Sequence, residues 1–106
     1  MMLYIFEVTL KRGIGMEDYT RAWKRGSEVI QKSPGSHGIR LYKKLGTPVK
    51  LLNVAAWESK TARDIAMESL KHADPHTRAL LHKHEDFGTV NVIGEFDETS
   101  WVVDLP

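Results

Sequence analysis

Along this chain the hydrophobic period switches from two residues to about 3.6 and back, in the order strand, helix, strand, strand, helix, strand. Within 106 residues, that order predicts one split βαβ, or ferredoxin-like, α+β domain. It is an antiparallel sheet of four strands, βαββαβ in sequence, with its helices on one face. Residues 3–10 alternate. Tyr4, Phe6, Val8 and Leu10 share an apolar face, and Leu3, Ile5, Glu7 and Thr9 a mixed one. Residues 16–32 carry Tyr19, Trp23, Gly26 and Ile30 at helical spacing, with most charges off that stripe. A glycine inside a helix costs about 1 kcal/mol, so Gly26 predicts a close approach of this helix to the sheet. Ser33-Pro34-Gly35 ends it.

Residues 37–45 and 49–57 predict a hairpin around Gly46-Thr47-Pro48. Its register is open by one residue, so Asn53 shares a face with either Arg40 or Leu41. Ser59 caps a helix over 60–71, with Ala62, Ile65, Ala66, Ser69 and Leu70 inward. Asp74-Pro75 starts a short helix to about His84. Residues 87–96 supply the last strand. The domain thus spans 1–96, and 97–106 form an acidic tail whose Trp101, Val102 and Val103 are expected to dock on a sheet edge or a partner subunit.

Composition narrows the function classes. Fifteen Lys and Arg against fourteen Asp and Glu give a net charge of +1, without the basic excess of a nucleic-acid binder. Lys43, Lys44 and Lys50 flank a turn and read as a solvated hairpin tip. No apolar run approaches the ~18 residues of a membrane span, and the first residues lack the basic start of a signal peptide. The absence of cysteine excludes disulfides, thiolate nucleophiles and Cys-ligated zinc. A cytoplasmic protein is expected. There is no Ser-His-Asp order, phosphate loop or paired-carboxylate spacing.

Several local features coincide: the Lys11-Arg12-Gly13 loop after the first strand, Tyr19 and Trp23 in the helix, the Ser33-Pro34-Gly35 break, and the run Ala55-Ala56-Trp57-Glu58-Ser59-Lys60. Over roughly residues 3–96 the chain resembles the antibiotic-biosynthesis monooxygenase-like family of dimeric α+β barrels. The resemblance implies a homodimer whose two sheets pack face to face. It also implies a pocket in each subunit between sheet and helices. Members include cofactor-free oxygenases acting on quinols and anthrones, and haem-degrading enzymes. The haem-degrading branch uses an Asn, a Trp and a His. Here Phe6 stands at the Asn position and Ala66 at the Trp position, which disfavours that activity.

The resulting expectation is an oxygenase that needs no cofactor or metal and takes a small aromatic or apolar molecule, with no nucleic-acid or membrane partner. His76 is the expected base, because imidazole titrates near neutrality and a helix N-terminus disfavours its charged form. Arg40 or Asn53 would hydrogen-bond the developing phenolate or peroxide. Phe6 and Trp23 are candidate substrate contacts. His72 and His76 have the spacing of two metal ligands, but Pro75 separates them. His37, His82 and His84 read as surface residues and Trp57 as a core anchor. Glu7 would find Asn53 or Lys43 across the sheet. The alternative is a non-catalytic barrel binding a small apolar ligand, which a closed, filled space between sheet and helices would favour.

Overall fold

The computed structural model describes residues 1–46 and 48–106; Thr47, at the expected hairpin tip, lies outside the described residues. Alternating β-branched and aromatic residues make β1 (Met2–Leu10) the central strand, paired antiparallel to β3 (Lys50–Trp57) on one side and β4 (Gly88–Asp97) on the other. β2 (Ser36–Lys43) pairs with β3, so the sheet order is β2-β3-β1-β4. This is the ferredoxin-like α+β fold expected from the period switches.

Among the described residues, three α-helices and one 3₁₀ turn cover a single face. Helix α1 (Met16–Ile30) lays its apolar stripe on the sheet. Gly35, at φ +84°, turns the chain back toward β2, and its carbonyl accepts from the Glu58 backbone N–H at 2.7 Å. Helix α2 (Lys60–Lys71) begins where Ser59 Oγ accepts from Ala62 N. At α3 (Pro75–His82) the cap is Asp74, whose carboxylate accepts from Thr77 N at 2.9 Å. A 3₁₀ turn (Lys83–Asp86) then leads into β4. Among the described residues, no helix is long and apolar enough to cross a membrane.

The core divides in two. Met2, Ala55, Trp57 and Ala66 pack at one end of the sheet, and Val8, Tyr19 and Leu51 at the other. The space between them becomes the pocket described below.

The structure settles the open hairpin register and changes three local expectations. Leu41 pairs with Asn53 and Arg40 with Val54, so Asn53 faces the helices beside Leu41 while Arg40 lies on the opposite face. Gly26 makes its close approach to α3, not to the sheet: a Cβ there would sit 2.9 Å from the Leu80 carbonyl oxygen. Helix α2 is rotated slightly from the expected face: Ala66 is buried as expected, but Ile65 is 66% exposed and Ser69 exposed. The tail does not dock on this chain's own sheet edge; Trp101 is 88% and Val103 100% exposed. A smaller difference concerns Glu7, which pairs with Lys50 at 3.2 Å rather than with Asn53 or Lys43.

The helix-free face carries Leu3, Ile5, Leu52, Val54 and Ala56, none fully buried in the single chain. Phe96, opposite Leu3, extends this apolar surface and is 46% exposed.

Candidate active site between sheet and helices

A pocket of about 80 Å³ opens between the sheet and α1, α2 and the 3₁₀ turn. Its floor is Tyr4, Phe6, Asn53 and Trp57, residues whose alternation along β1 and β3 turns them toward the helices. Its roof includes Trp23 from α1, Met67 from α2 and His84 from the 3₁₀ turn. A wider cleft continues outward and shares Tyr4, Phe6, Arg63 and His84 with the inner pocket. The space is thus open, not filled by core side chains.

Two polar side chains are held in fixed orientations among these apolar walls. Asn53 is 3% exposed, and its Oδ1 accepts from Trp23 Nε1 at 2.8 Å. An indole N–H only donates, so this bond assigns the amide oxygen to Trp23. The Asn53 NH₂ then has no protein partner among the described residues and is left for the pocket. His84 is held in a similar way. Its Nδ1 lies 3.1 Å from the hydroxyl of Tyr19, a residue with no exposed surface. The Tyr19 ring meets the imidazole edge-on at 5.7 Å, and Phe6 stacks on it at 6.0 Å. With Nδ1 engaged, Nε2 is the ring atom left without a protein partner. Burial pushes the His84 pKa below its ordinary value, the Glu85 charge opposing and His82 adding to the shift. Burial, then the Glu85 charge, pushes the Tyr19 phenol upward. At neutral pH the site therefore holds an uncharged imidazole on an un-ionised phenol.

Arg63 brings the one fixed charge of the inner pocket. Its guanidinium lies 3.8 Å over the Tyr4 ring, and Nη1 stands 3.5 Å from Glu95 Oε1.

Of the site residues expected from sequence, Phe6, Trp23 and Asn53 meet at this pocket. Arg40 does not, because the hairpin register turns it to the helix-free face. His76 is exposed and lines neither the pocket nor the cleft. The reason is that α3 packs on α1: Leu80 turns into a groove beside Ala22 and Arg25, and Leu81 reaches the pocket. The first turn of α3, which carries His76, projects beyond this contact. His72 meets Glu68 at 3.4 Å on the surface of α2, and Asp74 is occupied as a cap. Sequence reasoning missed His84, Tyr19 as its partner, and Arg63. Trp57, expected as a core anchor, is 1% exposed and also lines the pocket.

No protein-family model matches the chain, and no curated protein sequence matches it. Solved structures do. The cofactor-independent oxygenase SnoaB from Streptomyces nogalater superposes with a TM-score of 0.76 at 14% identity, covering 97% of each chain. A protein from Nitrosomonas europaea described as a candidate antibiotic biosynthesis monooxygenase gives a TM-score of 0.68 at 13% identity. That match covers 92% of this chain and 98% of that one. An uncharacterised NIPSNAP domain protein from Burkholderia xenovorans gives 0.73 at 13% identity, covering 98% and 100%. The chain has the antibiotic-biosynthesis monooxygenase-like fold. The likeness spans nearly the whole chain while sequence identity stays low, so the fold is what the chain and these neighbours share.

Proposed function

We propose that the chain is a cofactor-free oxygenase of electron-rich aromatic compounds, of the anthrone or quinol type. The observation that carries this reading is a largely apolar pocket holding one oriented amide donor, Asn53, and one neutral imidazole, His84. The inner pocket, about 80 Å³, continues into the outer cleft of about 330 Å³, and it is the cleft that has the size of a small-ligand site. For an anthrone, His84 Nε2 takes the proton from the ring CH₂, while Nδ1–H donates to the Tyr19 oxygen. The Asn53 NH₂ donates to the enolate oxygen and disperses its charge. The carbanion then reduces dioxygen and forms a carbon–oxygen bond to it. Cleavage of the resulting hydroperoxide turns CH₂ and O₂ into C=O and H₂O. SnoaB, whose fold this chain shares, is a cofactor-independent oxygenase.

We also propose that two copies associate through the helix-free sheet face. The continuous surface of Leu3, Ile5, Val54 and Phe96 supports this, because monomers rarely expose such a patch.

The test is oxygen uptake with dithranol and with naphthalene hydroquinones, in chelator-treated buffer, above the spontaneous rate. Asn53→Ala and His84→Phe should each lower the rate by about 10²-fold. His76→Ala and Arg40→Ala should leave it unchanged. Uptake no faster than the spontaneous reaction with every compound would overturn the reading.

A further inference from the structure

Arg63 is an expensive group to place where it stands. It is only 17% exposed on its side chain, in a wall made mainly of aromatic and aliphatic groups. Nη1 faces Glu95, but Glu95 also serves Lys60, whose Nζ is nearer at 3.2 Å. The other edge of the guanidinium is unpaired: Nε is buried with no partner, and Nη2 beside it makes no hydrogen bond among the described residues. A buried donor left unsatisfied keeps its desolvation penalty with no compensating bond, so a group that could receive it is the simplest account of its position. The outer cleft extends the same sign of charge. Lys71 and Arg78 line it; Lys71 is paired with Glu68 at 3.2 Å, while Arg78 has no carboxylate within ion-pair distance among the described residues. Glu85 is the one acid on that wall, and it faces His82 at 3.4 Å.

We infer that the ligand of this pocket carries a carboxylate, received on the Nε–Nη2 edge of Arg63 after a small swing of the guanidinium on the Tyr4 ring. A planar carboxylate matches that edge with two parallel N–H donors. Its aromatic body extends inward, toward Asn53 and His84. Arg78, the unpaired cation among the described residues of the outer cleft, attracts it inward. The inference rests on the pocket being the aromatic site proposed above, and it deepens that reading by naming the substrate as an aromatic acid.

Calorimetric titration of the full chain with 1-hydroxy-2-naphthoate and with 1-hydroxy-2-naphthamide separates the two claims, since the pair differs only in the charged group. The acid should bind at least about tenfold more tightly than the amide, and added salt should narrow the gap. Arg63→Gln should bring the acid to the affinity of the amide and leave the amide within about twofold of wild type. If Arg63→Gln does not fold, Arg63→Lys should reduce the preference, because an ammonium lacks the paired donors. Equal binding of acid and amide to the wild type, or a preference that survives in Arg63→Gln, would overturn the inference and leave the pocket reading standing. Binding of neither compound would overturn both.

Discussion

His84 shows how one contact changes the chemistry of a residue type. Five histidines occur in this chain, four of them between positions 72 and 84. Only His84 combines burial with a fixed partner, through the Tyr19 hydroxyl. Because burial lowers its pKa in the folded state, the unfolded chain binds more protons once the pH drops below the ordinary imidazole value of 6.5. The stability that His84 contributes is therefore complete above that value and is lost as the pH falls through the lowered one. Thermal melting followed from pH 7.5 down to 5.5 should show a falling midpoint. The slope should flatten in His84→Phe, whatever the variant's absolute stability. A slope equal to that of wild type would assign the dependence to another group.

Between elements, the pocket depends on how closely α1 and α3 approach. A Cβ at Gly26 would stand 2.9 Å from the Leu80 carbonyl oxygen and 3.4 Å from that of Leu81. Both are backbone atoms, so α3 would have to move as a unit. Gly26→Ala should destabilise the protein by about 1–3 kcal/mol despite alanine's better helix propensity, read as a lower denaturant midpoint at unchanged slope. Sequence marked Gly26 as a point of close approach but assigned it to the sheet instead of α3. A period of 3.6 reports that a helix has an apolar side; it does not report which element lies against it. The same limit explains Ile65, apolar yet 66% exposed, and Arg63, charged yet at the pocket. Element order, caps and strand alternation were legible because they depend on neighbours in sequence. Asn53 and Trp23 could be named from sequence, but not their bond. The Tyr19–His84 pair was not legible at all, since 65 residues separate the two.

For the whole molecule, the exposed helix-free face and the solvated tail both bear on assembly. Sedimentation velocity at micromolar concentration should report a dimer, since a stable interface of this kind buries on the order of 2,000 Å² or more. Val54→Glu, on that face and away from the pocket, should shift the species toward monomer while the far-UV dichroism stays unchanged. A monomeric wild type would rule the proposed association out. The β1–β4 pairing has a further consequence, through its irregularity at Ile5 and Phe6. Val92 pairs with Phe6 on the helix side, yet Glu95, three positions later, pairs with Tyr4 on that same side. One supernumerary residue has reversed the parity of the strand. It sends the carboxylate of Glu95 to Arg63 and the ring of Phe96 to the opposite surface. Strict alternation with Ile93 paired opposite Ile5 would instead put Glu95 opposite Leu3 on the apolar sheet face and Phe96 opposite Met2 on the helix side. The one extra residue, with no change to any pocket residue, thus sets both the counter-charge of the ligand site and the surface proposed for self-association.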